Sequence, residues 1–198
     1  MVSFYDPDEH VKKKHVDIEA RKKRRQARIE RAASLEGEEA VAEAKEVALR
    51  QLDRQDRSRG ELESKLRERG YQPDAIEAAL DRLAEAGLVD DERFARMLVR
   101  TRHSERGLVG RALVQELRKK KIPPHVIDVA MEEVEDADPE AVARDLVERR
   151  ARSMTGVDRE KQFRRLTSFL ARKGYSPGMC MHVVNSVLDE QGEGVEHD

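Results

Sequence analysis

Two rows of polar and cationic side chains are the groups in this sequence whose spacing points to a binding chemistry. Most of their members are three or four residues apart, a spacing that places side chains on one face of a helix. The first row is Arg93, Arg96, Arg100 and His103, and the second is Arg111, Gln115, Arg118 and Lys119. Such cations match phosphate oxygens, whose neutralisation releases counterions. Because the rows contain no aromatic residue and only Gln115 is suited to reading a base edge, we expect phosphate contacts with little sequence preference.

The sequence offers little material for catalysis or for metal binding. The six histidines and the single cysteine, Cys180, show no metal-ligand spacing, and no glycine-rich phosphate loop or Ser/His/Asp arrangement stands out. Arg118 and His125 have an Arg-x6-His spacing found in some helical ribonucleases. However, Pro123 and Pro124 interrupt the helix that would have to carry both side chains. We therefore expect no enzymatic activity, no metal and no cofactor.

The elements that position these residues are indicated by a ten-residue pattern that occurs three times. It reads RERGYQPDAI at 67–76, RKKKIPPHVI at 118–127 and ARKGYSPGMC at 171–180. Each copy combines a helix stop, a corner residue and a proline suited to the first turn of the next helix. The stops are Gly70, Lys121 and Gly174, which lie 51 and 53 residues apart. A period near 50 residues predicts tandem helical repeats.

Apolar residues occupy matching places in the three copies, and we expect them to be buried. These residues are Leu66, Leu117 and Leu170 before the stop, Tyr71, Ile122 and Tyr175 at the corner, and Ile76, Ile127 and Cys180 after the proline. Lys121 is the exception among the stops, because a non-glycine residue in the left-handed conformation costs roughly 1 kcal/mol. Either the second corner differs from the others, or the lysine is kept for its charge.

The whole pattern predicts an all-α fold. No segment alternates long enough to suggest a strand, and a chain with 40% charged and 4% aromatic residues suits helices that bury narrow apolar stripes. We predict nine helices in three tandem three-helix repeats, forming an elongated, curved, right-handed-type helical array, with Asp90 capping the first helix of the second repeat. The predicted segments are a charged extension, partly disordered or helical, at 1–39, repeats at 40–88, 89–137 and 138–190, and a disordered tail at 191–198.

Charge is distributed unevenly along the chain, although the net charge is only −2. Residues 11–31 hold ten Lys/Arg against three acids, which indicates either a solvated extension or a non-specific phosphate-binding arm. The middle helices of the repeats carry net charges of +1, +5 and +4, and the third helices carry −3, −5 and −2. Unless these are ordinary solvated faces, one flank suits phosphates and the other a basic protein surface. The chain has no apolar run near membrane-spanning length, no secretory signal and one cysteine, so we expect a cytoplasmic protein.

Three segments resemble the RecX family of bacterial recombination regulators. They are GLVDDERFARMLVRTR at 87–102 followed by LRKKKI at 117–122, SRGELESKLRERGY at 58–71, and FRRLTSFLARKGYS at 163–176. The resemblance covers about residues 47–190, with Val89 in place of a leucine and Lys121 where a glycine is common.

The resemblance implies a non-enzymatic regulator that lies in the groove of the RecA recombinase filament on DNA. Such proteins dampen the ATPase, strand-exchange and coprotease activities of RecA in recombination, DNA repair and the SOS response. We expect a monomer that contacts single- or double-stranded DNA or the filament through Arg93, Arg96, Arg100, Arg111, Arg118, Lys119, Lys120 and Lys121, and secondarily through Arg164 and Arg165. The alternative is a free helix-turn-helix-like DNA-binding protein acting in transcription.

Overall fold

The computed structural model describes residues 7–132 and 138–193, and the regular structure of this part of the chain is entirely helical. The helices are α1 (Pro7–Ala33), α2 (Gly37–Leu52), α3 (Arg59–Arg67), α4 (Pro73–Glu85), α5 (Asp91–Arg106), α6 (Gly110–Lys119), α7 (Pro124–Glu132), α8 (Pro139–Ala151), a 3-10 turn (Arg152–Met154), α9 (Arg159–Lys173) and α10 (Pro177–Glu193). The predicted all-α fold is therefore confirmed. The nine helices expected in the repeats are α2 to α10, and α1 forms within the predicted extension.

Each repeat has an apolar core of its own. The cores are built by α2–α4 with Ala32 of α1, by α5–α7, and by α8–α10. The leucines before the three corners are almost completely buried, with 1% exposure at Leu66 and Leu117 and none at Leu170. Cys180 is also buried, as its place in the pattern predicts, and burial raises the pKa of its thiol.

The three corners share one backbone geometry. In each, the corner residue donates its N–H to the carbonyl of the buried leucine five residues earlier, over 3.3 Å at Tyr71, 3.2 Å at Ile122 and 3.4 Å at Tyr175. The residue before it donates to the carbonyl three residues back, and the two bonds together form a Schellman motif. Lys121 adopts a left-handed φ of 57°, so the second corner does not differ from the others. Its left-handed backbone is one that glycine adopts more easily.

Local sequence explains where the helices begin. Pro73, Pro124 and Pro177 are the first residues of α4, α7 and α10, as the pattern predicts. Ser58 forms a complete capping box with Glu61 at the start of α3. Side chains also cap α8 and α9, where Asp138 and Asp158 accept backbone N–H groups. The helix α5 begins directly after Asp90, and a capping role for that side chain stays a prediction.

The chain forms two compact units, Met1–Asp90 and Asp91–Asp198. In the first unit, α1 packs against the first corner, where a Cβ at Gly70 would lie 2.7 Å from the Ile29 carbonyl oxygen. In the second unit, the Val109 N–H donates to the Lys173 carbonyl over 2.9 Å and so joins the second and third repeats.

Some charged residues of the middle and third helices form ion pairs with each other inside the repeats. Arg59 of α3 pairs with Asp81 of α4 at 2.6 Å, and Arg159 of α9 pairs with Asp189 of α10. The basic and acidic helices therefore partly neutralise each other in the first and third repeats. The acidic stretch at 123–136, the boundary at 137 and the tail at 191–198 extend beyond the described residues. The elongated, curved shape and the segment boundaries stay predictions.

Candidate nucleic-acid interface

The cationic row of α5 lines a surface cleft. Arg93, Arg96 and Arg100 surround a cleft of about 390 Å³ together with Met97 and Thr101. The apolar residues of the same helix, which include Phe94 and Leu98, are buried on its other face. The structure thus brings three of the predicted contact residues together. Arg96 also forms an ion pair with Glu92 at 3.3 Å.

His103 has a different role from the arginines of its row. Its side chain is only partly exposed, and its Nδ1 lies 3.2 Å from the Leu108 carbonyl oxygen just beyond the end of α5. When Nδ1 carries the proton, the imidazole donates a hydrogen bond to that carbonyl and ties the segment after α5 to the helix. His103 therefore stabilises the end of α5 and is less available for binding than the arginines of its row.

The second row, on α6, is exposed but only partly available. Arg111, Gln115 and Arg118 are exposed along this helix. Lys119 donates a hydrogen bond to the Glu116 carboxylate over 2.9 Å, and this bond lowers the pKa of that carboxyl. Burial raises the same pKa, whereas the positive charges of Lys119 and Arg102 lower it further. Much of the Lys119 charge is thus already matched within the helix. At the corner that follows, Lys120 is half-buried and Lys121 is exposed.

A further concentrated positive surface lies along α9. A cleft of about 710 Å³ is lined by Arg150, Met154, Lys161, Arg164, Arg165, Ser168, Phe169 and Arg172. Five of these side chains are cations, and no acid is among the lining residues of the described chain. Arg164 and Arg165, which we expected to be secondary contacts, are therefore at the centre of a larger cationic site.

An aromatic ring is part of this cleft, hereafter the α9 cleft. The ring of Phe169 has the Arg150 guanidinium 5.8 Å and the Lys173 ammonium 4.9 Å from its centroid. Burial lowers the pKa of Lys173, and the charges of Arg149 and Arg106 lower it further. Burial and the neighbouring positive charges both disfavour the charged form of this side chain. A basic cleft with an aromatic side chain is typical of surfaces that bind single-stranded nucleic acid.

Sequence reasoning missed four residues of the α9 cleft, namely Arg150, Lys161, Phe169 and Arg172. Three of them had a detectable signal. Lys161, Arg165, Phe169 and Arg172 follow the helical spacing of three or four residues that revealed the rows on α5 and α6. Arg150 had none, because it reaches the cleft from α8 through tertiary packing.

Other kinds of site find no support in the described residues. Arg118 lies on α6 and His125 on α7, so the ribonuclease-like spacing does not share one helix. In the described part of the chain, His, Cys, Asp and Glu form no cluster of three or more that could hold a metal ion. Within the same residues, no helix has the length and apolar character needed to cross a membrane.

Fold and surface together define a class of protein: a chain of three-helix domains whose helices carry clustered cations. Models of the RecX family match it three times, as the first three-helix domain at residues 44–83, the second at 90–131 and the third at 138–184. These matches cover more than half of the sequence. The chain belongs to the RecX family.

Individual relatives are similar over most of their length. The regulatory protein RecX of Streptomyces coelicolor is 45% identical over 157 residues, which is 79% of this chain and 84% of that protein. The regulatory protein RecX of Thermobifida fusca is 42% identical over 161 residues, 81% of this chain and 86% of that protein. The crystal structure of RecX from Lactobacillus salivarius superposes with a TM-score of 0.64 over 74% of this chain and 96% of that chain, at 22% identity. This last likeness concerns the fold.

Proposed function

We propose that this protein is a non-enzymatic, cytoplasmic regulator that binds the RecA–DNA filament in its groove and slows the ATPase, strand-exchange and coprotease activities of RecA. The observation that carries this proposal is the presence of all three RecX domains in one chain, with relatives named as regulatory proteins. The RecA partner comes from what the family is known to bind.

The cationic surfaces supply the proposed contacts with DNA phosphates. The α9 cleft and the arginines of α5 each gather several cations on one surface, and Arg111 and Arg118 add exposed cations on α6. Neutralisation of phosphates by these groups would release counterions and favour binding without base recognition. The acidic third helices are proposed to face a basic protein surface, although ion pairs such as Arg59–Asp81 reduce their free charge.

An ATPase assay of RecA on single-stranded DNA tests the proposal. We expect the wild-type protein to slow ATP hydrolysis, and R164Q/R165Q to need a several-fold higher concentration for the same effect. The control R149Q/R159Q also removes two positive charges from the third repeat. Its arginines are already paired with Asp145 and Asp189 and do not line the α9 cleft.

Two results would contradict this proposal. No slowing by the wild-type protein at several-fold excess over filament sites would remove the RecA function. Sequence-selective binding to duplex DNA in the presence of random competitor would favour the helix-turn-helix alternative instead.

A further inference from the structure

The first unit contains a second basic cleft, which lies between α1 and the first repeat. Its volume is about 740 Å³, and six cations and two acids are among its lining residues. The cations come from three helices and the first corner: Arg25, Arg28, Arg31, Arg50, Lys65 and Arg69. The whole of α1 lies outside the three segments that match RecX domains, the first of which begins at residue 44. The contacts proposed for RecX-type function therefore do not account for this cleft.

Apolar contacts hold α1 in place beside the repeat. Ala32 is 4% exposed and belongs to the core of the first repeat, and Ile29 lies directly against Gly70. Arg25 and Arg28 lie within one turn of Ile29, so the packing of this helix fixes the position of their backbone. The basic segment is thus one wall of a cleft and not a free arm.

The charges in the cleft are unbalanced. Of the two acids, Glu43 lies 3.6 Å from Arg31 and Glu68 lies 2.8 Å from Lys65. Six formal positive charges against two negative ones leave an excess of four. Like charges held close together repel each other, and a bound anion would relieve that repulsion.

We propose that this cleft binds the phosphodiester backbone of a nucleic-acid strand. Five of its six cations are arginines, whose planar guanidinium groups donate paired hydrogen bonds to phosphate oxygens. The six cations are spread over α1, α2, α3 and the first corner around a cleft of about 740 Å³, which is larger than a compact anion would fill. Tyr71, the aromatic residue of the cleft, is 6% exposed and offers no face for base stacking. The proposed contacts are therefore to phosphates, which are the same next to every base, so binding is independent of sequence.

Fluorescence anisotropy with a labelled oligothymidylate, in the absence of RecA, tests this site on the full chain. We expect R25Q/R28Q to weaken binding about tenfold at moderate salt. The slope of log K against log salt should fall by about 1.4, since each lost contact with a single strand removes about 0.7. The control K22Q/K23Q removes the same charge from exposed positions of α1 that do not line the cleft, and it should weaken binding less than twofold.

A second pair of variants separates a cleft from a basic helix. R50Q/R69Q changes the opposite walls, on α2 and at the first corner, and should weaken binding as much as R25Q/R28Q does. No effect of R50Q/R69Q, or an equal effect of K22Q/K23Q, would overturn the proposal, because α1 alone would then attract DNA. Circular dichroism and thermal melting verify that the variants fold.

Two further experiments test which ligand the cleft binds and whether it binds independently of the α9 cleft. Inorganic tripolyphosphate and polyglutamate are added as competitors at equal charge. If either displaces the oligonucleotide as well as unlabelled oligothymidylate does, the ligand is a compact anion or an acidic peptide and the proposal is wrong. The titrations are repeated in an R164Q/R165Q background, where the loss caused by R25Q/R28Q should persist. The ATPase assay with RecA reports separately on the proposed function.

Discussion

At the scale of single residues, the three corners show what one hydroxyl group contributes. Tyr71, Ile122 and Tyr175 fill the same place, and all are buried. Burial raises the pKa of the Tyr71 hydroxyl, and the charge of the Glu43 carboxylate and a hydrogen bond donated to it raise that pKa further. The Tyr175 hydroxyl is buried without a hydrogen-bond partner in the described part of the chain. Since Ile122 has no hydroxyl at all, the corner requires a buried apolar side chain and does not require a hydroxyl group.

Replacing the two tyrosines by phenylalanine should therefore give opposite results. We expect Y71F to lower the free energy of unfolding by about 1 kcal/mol, because a hydrogen bond is lost. Y175F should leave it unchanged or raise it by about 1 kcal/mol, because an unpaired buried hydroxyl is removed. Urea denaturation followed by circular dichroism measures both changes, and equal losses in the two variants would contradict the assignment.

Alkaline pH provides an independent check on Tyr175. Burial raises the pKa of its hydroxyl to about 12 from an ordinary value of 10.0. The unfolded chain therefore releases this proton at a lower pH than the folded chain does. The stability that the protonated Tyr175 hydroxyl contributes is complete below pH 10 and is lost as the pH rises towards 12. The stability of Y175F should fall less steeply than that of the wild type over this interval.

At the scale of helices, the joint between the second and third repeats depends on one glycine. Gly174 has a φ of 102° and ends α9, and a Cβ at this position would overlap the Val109 carbonyl oxygen. Gly156 also has a positive φ, of 77°, but a Cβ there would meet no atom within 4 Å. The two glycines share a backbone requirement, and only Gly174 has a packing requirement.

G174A should consequently destabilise the second unit more than G156A does. Both variants place a side chain at positive φ, which costs roughly 1 kcal/mol. G174A must in addition move α9 away from Val109, and we expect a further loss of about 1–3 kcal/mol from overpacking. Thermal unfolding compares the two, and similar melting temperatures would contradict the tight joint.

The sequence predicted those parts of the helices that obey local rules. The helix stops, the prolines at helix starts and the buried leucines depend on residues within one or two turns, so the repeated pattern was sufficient to locate them. Contacts between distant segments had no such signal. The docking of Ile29 on Gly70 joins residues 41 positions apart, and Arg150 meets α9 only through packing. These long-range contacts help to form the α9 cleft and the cleft beside α1.

At the scale of the whole molecule, net charge and local charge have different consequences. A chain with a net charge of −2 has no overall attraction for DNA, so binding must arise from clustered cations. In the rows predicted from the sequence, Arg96 and His103 are partly buried and the other members are exposed, and their contact with DNA stays a prediction. The sequence did not predict that cations from separate helices would gather in the clefts.

Binding of the wild-type protein to single-stranded DNA should therefore depend steeply on salt. If the five cations of the α9 cleft each neutralise one phosphate, log K should fall against log salt with a slope of about −3.5 from that cleft alone. Anisotropy titrations from low to high salt measure the slope. A slope near zero would mean that phosphate contacts contribute little.

The burial of Cys180 has a practical consequence for fluorescence studies. The chain has one cysteine and no tryptophan, and that thiol is 2% exposed with a raised pKa. A maleimide dye reacts with thiolates at the surface, so a cysteine introduced at an exposed loop position such as Gln55 or Thr155 would be labelled first. A donor and an acceptor at these two positions would report changes in the distance between the two units as a nucleic acid is added.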